Sequence, residues 1–204
     1  ELGFDNVYTK PVTFNRWKRG LETAEIISPY PHDIKITALG GSLPTPMTGL
    51  IGELAHFETL EDLKQADDSE VKGKITFISH RMQRKKDGSG YGAISSTRFK
   101  AAYITAQKGG IGSIIRSIGT DNNRDPHTGV MKSTLEDPES KETRLLHKHE
   151  TVPAGAISNP DADLLVNVLK RGKPVSFKYT LGSDWNGEYT SQNVIGEIKG
   201  REKP

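Results

Sequence analysis

The 204 residues carry 28 Lys and Arg against 26 Asp and Glu, a formal net charge of +2 that is too small to hold a nucleic acid. With 33% hydrophobic and 26% charged residues, 21 Gly and 11 Pro, the composition excludes a disordered tail or a helical bundle and suits one loop-rich domain. The absence of cysteine excludes disulfides, thiolate metal ligands and cysteine nucleophiles, and no run reaches the ~18 apolar residues of a membrane span. The opening ELGFDNVYTK lacks the basic, apolar and small-residue zones of a secretory leader, and composition leaves the compartment open.

Residues 1–32, with Pro11, Trp17, Gly20 and Pro29-Tyr30-Pro31, show little periodicity and predict an extended lead-in that packs on another surface. Alternation over 34–39, halted by Gly40-Gly41, predicts a strand ending in a turn. Leu50, Ile51, Leu54, Ala55 and Phe57 predict a second strand, and Thr59 caps a short helix that follows it. The β-branched and aromatic cluster Ile75-Thr76-Phe77-Ile78 predicts a mostly buried third strand, and residues 81–92 read as a charged, flexible loop. A helix is predicted over 95–108, with Phe99, Ala102, Tyr103 and Ala106 as its apolar face and Gly109-Gly110 as its stop. An apolar strand over 111–118 completes a strand, helix, strand order that favours a parallel crossover. Residues 121–150 form a long polar excursion, of the kind that carries function. A strand over 152–157, a helix over 160–170 facing inward through Leu164, Leu165, Val168 and Leu169, and strands over 175–181 and 193–198 close the chain.

No constellation of these residues carries catalysis. His149-Glu150 begins a helical zinc motif, but Pro153 stands where its second histidine belongs. His147 and His149 would point to one side of a strand, yet on a charged loop such a pair reads as solvated surface. Asp121-Asn122-Asn123-Arg124-Asp125 opens like a calcium loop, but Pro126 replaces the turn glycine and Lys132 replaces the closing glutamate. Gly40-Gly41-Ser42 lacks the closing glycine of a nucleophile elbow. Gly88-Ser89-Gly90-Tyr91-Gly92 lacks the lysine pattern of a phosphate loop and reads as a plain turn, while Arg81, Arg84, Lys85 and Lys86 read as solvated surface. Pro126-His127-Thr128-Gly129 combines a titratable ring, a hydroxyl and a permissive backbone, the composition of a contact site, against the alternative of a histidine satisfied by its own loop.

Several stretches in order resemble the protease-associated domain: Val71-Lys72-Gly73-Lys74-Ile75, Ala101-Ala102 through Lys108-Gly109-Gly110 to Ile115, and Val152-Pro153-Ala154-Gly155-Ala156-Ile157-Ser158 before Asp163-Leu164-Leu165. Arg19-Gly20, Leu39-Gly40-Gly41-Ser42, residues 87–92, Arg116 through Asp121, and Pro126-His127-Thr128-Gly129 resemble the inserted domain of carboxypeptidase Q-like zinc exopeptidases. The segment 132–150 is longer and more charged than that pattern. The resemblance implies a swivelling β/β/α fold, α/β in class, with a mixed sheet or open barrel and flanking helices. It divides the chain into a lead-in over 1–32 on a catalytic domain, a protease-associated domain over 33–185 and a return strand over 186–204.

The resemblance further implies a non-catalytic insert beside an active-site cleft, which restricts or positions peptide substrate. His127, Thr128 and Gly129 are expected to face that cleft, with Asp121 and Arg124 as weaker candidates. No catalytic residue, metal ligand or cofactor is expected in this chain, and two zinc ions are expected in the attached peptidase domain. That domain and the peptide are the implied partners, with contacts in a homodimer as a further option and neither nucleic acid nor a membrane span expected. The implied location is secreted or periplasmic. The alternative is a stand-alone protein- or peptide-interaction module, and an independent enzyme ranks last.

Overall fold

The structure, a computed structural model, describes residues 3–131, 134–136 and 143–200. Its elements run β1 (Asn6–Lys18), β2 (Glu22–Ser28), β3 (His32–Ile34), β4 (Ile36–Ala38), β5 (Leu50–Phe57), α1 (Leu60–Gln65), α2 (Asp68–Val71) and β6 (Ile75–Ile78). They continue with α3 (Ser89–Ile94), α4 (Ser96–Gln107), β7 (Gly112–Arg116), β8 (Thr134–Glu136), β9 (Thr143–Leu145), β10 (Ala154–Ile157), α5 (Asn159–Leu169), β11 (Ser176–Leu181) and β12 (Asp184–Glu197).

Two compact units divide the chain, one of residues up to 18 with those from 185, the other of residues 19–184. In the first, β1 and β12 form a two-stranded ribbon in which nearly every side chain is exposed. Thr13 and Thr190 share a 2.9 Å hydroxyl contact, and Phe14 meets Tyr189 edge to face at 5.9 Å. The sequence predicts only 193–198 of β12, because a ribbon that buries neither face imposes no alternation on its side chains.

The second unit holds an eight-stranded mixed sheet, ordered β3-β2-β11-β5-β6-β7-β10-β4, curled nearly into a barrel with helices against it. Strands β5, β6, β7 and β10 run parallel, and the others join antiparallel. The curl returns the last strand toward the other end of the sheet, where the Ala38 amide on β4 donates to the Glu22 carboxylate on β2 at 2.9 Å. All four positions of β6 and of β10, and all five of β7, are buried, as the centre of a parallel sheet covered on both faces requires. Thr59 accepts from the Asp62 amide and Asp62 from the Thr59 amide, so α1 starts where its capping sequence predicts.

Four expectations need correction. Residues 22–28 and 32, read as lead-in, belong to β2 and β3 of the eight-stranded sheet, with Ala24 and Ile26 buried. The strand over 34–39 breaks at Lys35, whose amide leaves the ladder to donate to the Asp161 carboxylate at 2.8 Å, so β3 pairs with β2 and β4 with β10. The loop over 81–92 contains most of α3, with Gly90 packed beneath the Gln83 carbonyl. The buried face of α4 consists of Thr97, Arg98, Ala101, Ala102 and Thr105, whereas Phe99 is exposed. Apolar spacing placed Ala102 correctly but missed the rest, because the inner face mixes Thr97, Arg98 and Thr105 with two alanines. Within 121–150, β8 and β9 form an antiparallel hairpin, while 132–133 and 137–142 of the charged segment lie outside the described residues.

Candidate functional site

At the end of β7 the chain turns out through Ser117, and that buried hydroxyl accepts from the His127 amide at 2.8 Å. This bond draws residue 127 back to the sheet after ten residues of excursion. Thr128 Oγ1 then accepts from Arg19 Nη2 at 3.1 Å, and the same nitrogen donates to the Ala38 carbonyl at 3.2 Å. The Gly40 amide donates to the Gly129 carbonyl at 2.8 Å and the Met131 amide donates to the Gly40 carbonyl at 2.8 Å, which zips 129–131 onto the end of β4. Ser42 Oγ accepts from the Ala154 amide at 2.9 Å. Residue 20 has to be glycine for Arg19 to arrive there, since a Cβ would lie 2.3 Å from the Gly182 carbonyl oxygen.

His127, Thr128 and Gly129 are thus brought together with Arg19 and Gly40, so that stretches distant in sequence meet at one place. His127 is exposed, while Thr128 and Gly129 are half-buried. Arg124 is directed elsewhere: it donates to the Asp33 carbonyl at 2.8 Å and pairs with the buried Asp161 at 2.9 Å. That carboxylate also accepts from the Ser158 hydroxyl at the start of α5, so Arg124 fastens the excursion to β3 and α5. Asp121 is exposed, its carboxylate turned back toward Gly119.

Three groups escaped the sequence reading. Arg116, 4% exposed at the last position of β7, donates through Nε to the Ser79 carbonyl at 2.8 Å, through Nη1 to the Asn159 carbonyl at 3.1 Å and through Nη2 to Asp163 at 2.8 Å. Burial pushes its pKa down, and Asp163 opposes that shift. Arg81, exposed as predicted, also pairs with Asp163; burial pushes the Asp163 carboxyl up, but the two guanidiniums outweigh it and hold it below its ordinary value. Nearby on β5, His56 stacks on Phe77 at 5.4 Å and shares a 2.8 Å bond between Nε2 and Ser79 Oγ, with burial lowering its pKa. The third group is Arg98, inward-facing in the first turn of α4, whose Nη1 donates to Tyr91 Oη at 2.6 Å. Polar residues at the ends of parallel strands are the signal that could have found the first two, because ligands and caps gather at those carboxyl ends.

No family model matches the chain. Along 99% of its length it is 26% identical to Carboxypeptidase Q from Bos taurus and 27% identical to that from Homo sapiens, covering 39% of each. Among solved structures, a Peptidase M28 precursor from Shewanella amazonensis SB2B superposes with a TM-score of 0.86 at 47% identity, over 98% of this chain and 42% of that one. A zinc aminopeptidase from Bacillus subtilis, at 20% identity and a TM-score of 0.53, shares the fold. The chain spans about two-fifths of the length of these relatives.

Against the zinc of that Bacillus subtilis enzyme, the described residues contain no group of three or more His, Asp or Glu placed to hold a metal. His149 lies in a single helical turn and His147 just before it, rather than on a strand, their rings stacked at 5.4 Å and nearly parallel. The Asp121 loop offers a cation no ring of oxygens, since Arg124 occupies its middle with bonds to Asp33 and Asp161; Lys132 lies outside the described residues. At Gly88, the turn that precedes α3 is already capped by Asp87, which accepts from the Ser89 amide and hydroxyl and repels a phosphate. No helix of the described residues is long and apolar enough to cross a membrane.

Proposed function

We propose that this chain is the non-catalytic protease-associated domain of a zinc-dependent exopeptidase, where it flanks the active-site cleft and positions peptide substrate. The observation that carries the reading is the end-to-end match of the chain to about two-fifths of Carboxypeptidase Q and of the Peptidase M28 precursor, at 47% identity to the latter. A segment of that proportion, with a barrel-like sheet of its own, is what an inserted domain would be. The two zinc ions belong, on this reading, to the remainder of the protein, because the described residues offer them no ligand group. The part played by this chain is positional. The bonds from Ser117, Arg19 and Gly40 fix the backbone of 127–129, so that the exposed His127 is presented on a braced loop rather than a mobile one. A secreted or periplasmic location accompanies this proposal.

The test is hydrolysis of unblocked dipeptides, with and without added zinc, by the 204-residue chain and by the longer protein that the proposal requires. Activity confined to the longer protein is the expected result, and H127A in that protein should then raise KM more than it lowers kcat. Zinc-dependent hydrolysis by the 204-residue chain would overturn the proposal. Full activity of the remainder without this domain, on the same peptides, would instead favour a separate interaction module.

A further inference from the structure

Arg98 is 4% exposed, yet among the described residues two of its three nitrogens, Nε and Nη2, have no hydrogen-bond partner and no acidic side chain pairs with it. A guanidinium out of water without a counter-charge is among the costlier groups a fold can retain. Its surroundings are built around it. Nη1 is held by Tyr91 Oη at 2.6 Å, and the guanidinium carbon lies 5.6 Å from the centre of the Tyr91 ring. On the other contact, the backbone of Gly129 comes so close that a Cβ there would stand 2.7 to 2.9 Å from Nη1, Cδ and Cζ. The residue that follows His127-Thr128 is therefore glycine because Arg98 lies against it.

The two nitrogens left over are not an arbitrary pair. Nε–H and Nη2–H share one edge of the planar group and point the same way, at the spacing of the two oxygens of a carboxylate. We propose that Arg98 is a carboxylate-binding residue, whose free edge takes the carboxylate of a peptide in a side-on, two-bond pair. The inference rests on the reading of the chain as a peptide-positioning domain, and it names the chemical group recognised. Tyr91 is 39% exposed while Arg98 is buried, so the ring is the side chain that turns aside to admit the ligand. Both an α-carboxylate at a peptide C-terminus and a glutamate side chain within a peptide carry the required group.

The experiment titrates the uniformly 15N-labelled chain with three peptide probes and with inorganic phosphate, and follows its arginine Nε–H resonances, with chloride at equal ionic strength as control. The probes are acetyl-Ala-Ala, with a free carboxylate; acetyl-Ala-Ala-amide, without one; and acetyl-Glu-amide, with the carboxylate on a side chain. The Arg98 resonance, assigned by its loss in R98K, should shift in a saturable manner with the first probe and not with the second. A response to the third of equal size makes the site a reader of acidic side chains, and a weaker one makes it a reader of C-termini; both support a carboxylate site. R98K, which keeps the charge but not the fork, should bind at least about tenfold more weakly. If R98K does not fold, Y91F supplies the assignment, since it removes only the hydroxyl bound to Nη1. Overturning results are an Arg98 resonance that moves no more than with chloride, which would leave the edge without a ligand, or one that moves further with inorganic phosphate than with either carboxylate. Because nothing is hydrolysed, the outcome stands apart from the peptidase assay: the site can fail while the domain reading holds, and the reverse.

Discussion

Arg98 and Arg116 are equally buried, at 4% exposure, and belong to the same helix and strand crossover, but only one of them is provided for. Arg116 places three nitrogens on two backbone carbonyls and a carboxylate. Arg98 places one nitrogen on a phenol and keeps an edge without a partner among the described residues. The difference separates a cation that joins elements from a cation that waits for something. A buried ion pair with all its hydrogen bonds is part of the architecture, and removing one member leaves the rest stranded. A buried fork with a free edge contributes little to the fold and is retained for another reason.

The largest expected effect is therefore R116M. It would strand the Ser79 and Asn159 carbonyls, at a cost of about 2 to 3 kcal/mol in urea unfolding, while Asp163, 45% exposed, keeps Arg81 and adds little. G129A comes next. Its Cβ would press on the guanidinium of Arg98, which Tyr91 keeps from moving away, and should cost about 1 to 2 kcal/mol. Most of that cost should vanish in an R98M background, so the double-mutant cycle measures whether the two residues are in contact. R98M alone follows, within about 1 kcal/mol of wild type in either direction, because it removes a desolvated charge along with one bond. A loss as large as that of R116M would break the comparison and show that Arg98 is also satisfied from within the chain.

Much of this arrangement was open to a reader of the residues. Ile75-Thr76-Phe77-Ile78, the Thr59 cap and the apolar run after Gly109-Gly110 each have one stable use, and they appear as β6, α1 and β7. His127, Thr128 and Gly129 stood out by chemistry alone. What periodicity could not supply was Arg98, which lies on the face of α4 that apolar spacing assigned to solvent, and whose meeting with Gly129 spans 31 positions. Nor could it supply β1 and β12, because a ribbon exposed on both faces leaves no pattern to read. The ends of the parallel strands carry the same lesson: Arg116 and His56 sit in apolar or mixed runs, and only their partners, Asp163 and Ser79, distinguish them from surface residues.

The smallest expected effect concerns that strand edge and sharpens the contrast from the side of Arg116. Burial lowers the pKa of His56, with Lys170 adding to the shift and Glu58 opposing it, so the folded chain gives up a proton more readily than the unfolded one. Between the folded value and the ordinary ~6.5 the unfolded state binds more protons, so stability is complete above ~6.5 and declines as pH falls through that window. H56Q keeps a hydrogen-bonding group toward Ser79 and removes the titration. Urea midpoints taken between pH 8 and 5 should therefore fall less steeply for H56Q than for wild type, with the two converging in shape above pH 7. Parallel curves across the range would mean that the ring is protonated as easily in the fold as out of it, which would place water, rather than Phe77 and the strand ends, around His56. R98M should leave that slope untouched. It lies outside the edge that His56, Ser79 and Arg116 share, and a common change in both variants would join two sites that the hydrogen bonds keep apart.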